Sequence, residues 1–135
     1  MNKSKGFTII ELIVVIAIIA VLAAIVLVNV TQYINKGKDA AIEGNMATLL
    51  TNGATFYDTN HTYTGFCAAN FAAGKPIFDQ DPSATADKVC VESATEWAAC
   101  SQLLTTAANY WCVDSSGTKK SVTAACADFD ATVCP

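Results

Sequence analysis

The sequence predicts an α+β fold: a long N-terminal helix, half membrane-spanning and half amphipathic, packed on a small antiparallel sheet in a disulfide-bonded head. Three observations predict it. Residues 7–30 form an apolar run with one charge, Glu11. Beyond it, Ile34, Ala41, Ile42, Met46, Leu49, Leu50 and Phe56 keep a helical spacing to about residue 58. All six cysteines, Cys67, Cys90, Cys100, Cys112, Cys126 and Cys134, follow that helix. A chain of 135 residues has room for one membrane segment and one small domain.

As a helix, residues 7–30 extend about 36 Å, enough for a hydrocarbon core of about 30 Å. A removable secretory signal has a shorter apolar stretch of roughly 7–15 residues, so the run reads as a retained span. Lys3 and Lys5 precede it and Lys36 and Lys38 follow, so counting cations leaves the orientation tied. The cysteines break the tie. An even number in a small domain is expected of disulfides formed outside the cytoplasm, which places the N-terminus inside. Their gaps of 23, 10, 12, 14 and 8 positions contain no C-x-x-C pair, and His61 is the one histidine, so no zinc site is expected. Six cysteines allow 15 connectivities, among which spacing does not choose.

Glu11 is the anomaly of the run. A carboxylate facing hydrocarbon must be paired or neutralised, and no Lys or Arg lies within residues 7–30. A cut between Gly6 and Phe7 would create the missing cation. The new α-amine would stand one helical turn from Glu11, able to pair with it or with the Glu11 of a neighbouring helix.

The stretch KGFTIIELIVVIAIIAVLAA resembles the N-terminal signature of type IV pilins and the related type II secretion pseudopilins and competence pilins. The resemblance covers about residues 3–27. It implies that prepilin peptidase removes the leader 1–6 by cutting after Gly6 and methylates the amine of Phe7. It also implies that Glu11 helps bring the subunit into a growing homo-oligomeric helical filament. The implied partners are an inner-membrane assembly platform and minor pilins. The implied course runs from a single-pass bacterial inner-membrane precursor to an extracellular pilus.

The function so implied is that of a major structural subunit of a type IV pilus, serving adhesion, motility or DNA uptake. A major pseudopilin of a type II secretion system and a single-pass anchored binding module are the alternatives. The sequence departs from many relatives at Val28, where they carry proline. The local unwinding that proline permits in a membrane helix is therefore not expected on that ground.

The remaining elements follow in order. Residues 31–58 form the amphipathic half of the helix, and 59–135 the head. In the head, 59–88 reads as a connecting loop rich in Gly, Pro, Asn and Asp, with Cys67 tied to Cys90. Residues 89–135 hold the sheet and the Cys-rich C-terminal region. WAACSQLL and NYWCVD flank TTAA, and DSSGTKK precedes SVTAAC, which suggests two antiparallel turns. Ser93 and Glu96 have capping-box spacing and offer a helix as the alternative for the first segment; a strand is expected. YWCVDSSG is similar to a strand and turn of some bacterial pilin-like heads. Cys100 with Cys112 across the hairpin and Cys126 with Cys134 complete the expected pairing.

No enzymatic constellation is present in the sequence. A lone histidine and the lack of a glycine-rich phosphate loop or a clustered-carboxylate motif leave no machinery for hydrolysis or transfer. His61 reads as a loop residue, and Asn60-His61-Thr62 has the spacing of a glycosylation acceptor. Asp114, Asp128 and Asp130 supply hard oxygen ligands that suit calcium, which major pseudopilins use in this region; no other metal or cofactor is expected. Removing the leader leaves six lysines against twelve acids, a side-chain net of −6 with no arginine. That balance disfavours direct nucleic-acid binding.

Overall fold

The computed structural model describes residues 6–84, 87–126 and 132–135. Its elements are α1 (Ile9–Asn60), α2 (Phe66–Asn70), α3 (Pro76–Gln80), β1 (Lys88–Glu92), β2 (Trp97–Gln102), β3 (Tyr110–Asp114) and β4 (Lys119–Val122). The chain divides into two compact units at residues 34 and 35, so α1 contributes to both.

In the first unit α1 leaves its apolar side chains uncovered: Ile10, Leu12, Ile16, Ile19, Leu22 and Ile25 are all more than half exposed. β-branched residues are ordinarily modest helix formers. In a bilayer, however, a lone segment can satisfy its backbone only as a helix. With a best-window mean hydropathy of 3.3, α1 is long and apolar enough to cross a membrane. The helix passes residue 28 without interruption.

In the second unit α1 buries Asp39, Ile42, Met46, Leu49 and Gly53, steps of three and four that keep one face inward. Ile34 and Ala41, expected on that stripe, are exposed. The buried face is rotated toward Asp39 because that side chain has partners to reach. α1 ends where His61 takes a left-handed φ of 57° and its N–H donates to the Tyr57 carbonyl at 2.7 Å.

The sheet is an antiparallel meander in the order β1-β2-β3-β4. Its alternation sorts the core into two layers. Trp97, Ala99 and Val113 pack with Ile42, Met46, Leu49, Phe66 and Phe71, whereas Ala98, Cys100, Cys112 and Val122 pack with Cys126 and Cys134. β2 is accordingly buried at nearly every position. Gly53 is required by the first layer, since a Cβ there would lie 2.7 Å from Trp97 Nε1 and 2.9 Å from two further indole atoms. Ser93 and Glu96 close the β1–β2 hairpin, with Ser93 N–H donating to the Glu96 carbonyl at 2.8 Å and Glu96 N–H to Ser93 Oγ at 3.0 Å. The spacing that could cap a helix serves a turn here, and the strand expectation holds.

Three disulfides bind the second unit. Cys67 joins Cys90 as expected. Cys100 joins Cys126 and Cys112 joins Cys134, which corrects the expected Cys100–Cys112 and Cys126–Cys134 pairing. Cys126 and Cys134 lie against the face of β2 and β3 opposite the helix, and each strand cysteine bonds to one of them rather than to its neighbour. The described part of the connecting segment contains the two short helices α2 and α3.

Candidate assembly site

The N-terminal site is assembled by the first turn of α1. Gly6, Phe7 and Thr8 precede the helix in non-helical, exposed backbone, and Phe7 is 85% exposed. Residues 1–5 of the expected leader lie outside the described residues. Thr8 and Glu11 form a reciprocal capping box. Glu11 Oε2 accepts from Thr8 N–H at 2.8 Å and Thr8 Oγ1 at 2.7 Å, while Glu11 N–H donates to Thr8 Oγ1 at 3.3 Å. One glutamate oxygen thus satisfies an orphan donor of the helix start, where a negative charge also complements the dipole. The T-x-x-E spacing of Thr8 and Glu11 carries this signal in the sequence.

Comparison with known proteins agrees with this geometry. A family model for the prokaryotic N-terminal methylation motif matches residues 1–27. The "Type IV major alpha-pilin" of Moraxella bovis is 35% identical over 94 residues, 70% of this chain and 51% of that protein. The motif and this relative together support the type IV pilin family. It spans about half the length of the curated relative it matches. No solved structure matches it significantly. The family consists of structural subunits rather than enzymes.

In the head, carboxylates act as loop anchors. Asp39, from the buried face of α1, accepts from Leu104 N–H at 2.5 Å and Thr105 N–H at 3.1 Å, holding the β2–β3 connection to the helix. Glu92 accepts from the N–H groups of Gly65 and Cys67, fixing the start of α2 beside the Cys67–Cys90 bond. Asp81 is buried. Its carboxylate accepts from Ser83 Oγ at 2.5 Å and Ser101 Oγ at 2.7 Å, with Lys88 Nζ 3.9 Å away. None of these anchors is legible from local spacing, because each joins segments that meet only in the folded head.

Asp114 is the most heavily used of them. Its Oδ1 accepts from Ser116 Oγ at 2.5 Å, Ser116 N–H at 3.0 Å and Thr118 N–H at 3.2 Å, and Oδ2 accepts from Cys134 N–H at 3.0 Å. Burial by itself would push this carboxyl up. The Ser116 hydroxyl bond and the three backbone bonds outweigh it and hold the group below its ordinary range. Both oxygens are engaged in holding the β3–β4 turn and the C-terminal segment. Asp128 and Asp130, the other residues of the calcium expectation, lie outside the described residues. Asn60, at the end of α1, is exposed, and its Nδ2 donates to the Phe56 carbonyl at 2.9 Å.

Proposed function

We propose that this chain is a major filament subunit, cut and methylated at Phe7, whose α1 packs with copies of itself. The single supporting observation is the joining of an exposed Gly6–Phe7 junction to an unbroken helix whose described apolar side chains up to residue 34 are uncovered and whose one charge in that stretch is Glu11. In the uncut chain Thr8 satisfies Glu11. Cleavage supplies an α-amine four residues before it, and Glu11 then has a cation to neutralise on its own or an adjacent helix.

The motif and the relative imply peptidase processing and a membrane-anchored precursor that enters a pilus. In this reading the N-terminus faces the cytoplasm before assembly, and an assembly platform and minor pilins serve the growing fibre. A surface pilus is favoured over a secretion pseudopilus because three disulfides suit a head exposed outside the cell. Replacing Glu11 by Ala tests the reading. Membrane insertion and head folding should persist while the yield of sheared filaments drops at least tenfold. Wild-type filament yield from that variant would refute the pairing role.

A further inference from the structure

The disulfides differ in how their cysteines are ordered along the chain. Cys67 and Cys90 are consecutive cysteines. The other two bonds interleave, Cys100 with Cys126 and Cys112 with Cys134, and all four residues share one buried cluster.

The sheet itself brings a different pair together. Cys100 and Cys112 are direct partners in the β2–β3 register. Leu103 N–H donates to the Asn109 carbonyl and Ser115 N–H to the Trp97 carbonyl, so odd-numbered positions of β2 are the hydrogen-bonded ones. Cys100 therefore faces Cys112 at a non-hydrogen-bonded position, where partner Cα atoms stand about 4.5 Å apart and side chains approach most closely. That separation lies within the ~4.4–6.8 Å a disulfide spans. The hairpin is also complete in sequence before Cys126 and Cys134 are synthesised. An oxidant that meets the emerging chain finds Cys100 and Cys112 before Cys126 and Cys134.

We infer that this chain requires a thiol–disulfide isomerase as a partner outside the cytoplasm, and that its substrate there is a Cys100–Cys112 intermediate. The exchange balances without a further oxidant. The isomerase thiolate attacks Cys112 Sγ and releases the Cys100 thiolate, which attacks Cys126 of a Cys126–Cys134 bond. The freed Cys134 thiolate then displaces the isomerase from Cys112. The interleaved product is selected because it lays the C-terminal segment on the sheet. There Cys134 N–H reaches Asp114 Oδ2 at 3.0 Å and Thr132 Oγ1 reaches Glu96 Oε2 at 2.9 Å.

The test is oxidation of the full-length reduced chain, diluted from urea into detergent micelles, followed by disulfide mapping with non-reducing digestion and mass spectrometry. Diamide alone should give a Cys100–Cys112 species as the leading product. Glutathione buffer with a purified disulfide isomerase should convert it to Cys100–Cys126 and Cys112–Cys134 at least tenfold faster than buffer alone. Direct appearance of the interleaved bonds under diamide, with no Cys100–Cys112 species ahead of them, would overturn the inference. A second measurement uses the double variant Cys126→Ser/Cys134→Ser. After oxidation it should titrate with no free thiol, and two remaining thiols would overturn the inference equally.

Discussion

Residues 9–34 and residues 35–135 treat their apolar side chains in opposite ways. In the first region the described Ile, Leu and Val side chains are exposed along the helix, and in the second the same helix buries Ile42, Met46 and Leu49 completely. Burial at roughly 25 cal/mol per Å² stabilises the second region from within the chain. The first has no such internal return, and only lipid or other protein surfaces can cover it. Stability of the head and the proposed assembly through α1 are therefore separable properties, to be disturbed by different substitutions.

The largest expected effect on the head comes from Trp97, whose indole packs on Phe66 at a centroid separation of 4.6 Å and against Gly53. Trp97→Ala should lower stability by about 3–5 kcal/mol, read as a shifted urea midpoint of the full chain in micelles. Gly53→Ala probes the same contact from the helix side. Its new methyl meets the indole ring, and overpacking of this kind costs about 1–3 kcal/mol. If Gly53→Ala left the midpoint unchanged, the close approach would not hold in solution. Neither substitution should alter peptidase cutting at Gly6.

A smaller effect follows from Asp114. Its carboxyl titrates below the ordinary value in the folded head, so its hydrogen bonds add stability above the unfolded pKa. That contribution disappears as the pH falls through the depressed folded pKa. Wild-type stability should therefore decline below about pH 4, the ordinary carboxylate range. Asp114→Asn should be less stable at neutral pH and show a flatter acid limb. An equally steep acid limb in the variant would assign acid sensitivity to other carboxylates.

The smallest effect is expected at Thr8. Thr8→Ala removes the capping box, whereas Thr8→Ser retains its oxygen. Faster amide exchange over residues 9–11 in the alanine variant alone would show the cap at work; equal exchange in both would show that it is not formed in micelles.

Much of this architecture is legible in the sequence because its signals are local. The apolar length of residues 7–30 and the turn signals between WAACSQLL, NYWCVD and SVTAAC each lie within one short segment, whereas the equally local Ser93-to-Glu96 spacing offers a helix and serves a turn. The Thr8–Glu11 box is equally local, with a neighbouring hydroxyl rather than a cation as the partner of Glu11. The disulfide connectivity was not legible, since a hairpin makes Cys100 and Cys112 neighbours whichever partners they finally take. The rotation of the α1 stripe was hidden for a related reason. Asp39 reads as a solvated acid until the amides of Leu104 and Thr105, 65 and 66 positions away, are placed against it.

In the proposed function, processing of the N-terminus precedes any role of Glu11 in assembly. N-terminal sequencing and intact mass of protein sheared from the cell surface test this directly. The account predicts a chain that begins at Phe7, carries the mass of one methyl group, and has lost the six thiol hydrogens of its three disulfides. An uncut chain beginning before Gly6 and confined to the membrane fraction would contradict it, leaving Thr8 as Glu11's only role-giving partner among the described residues.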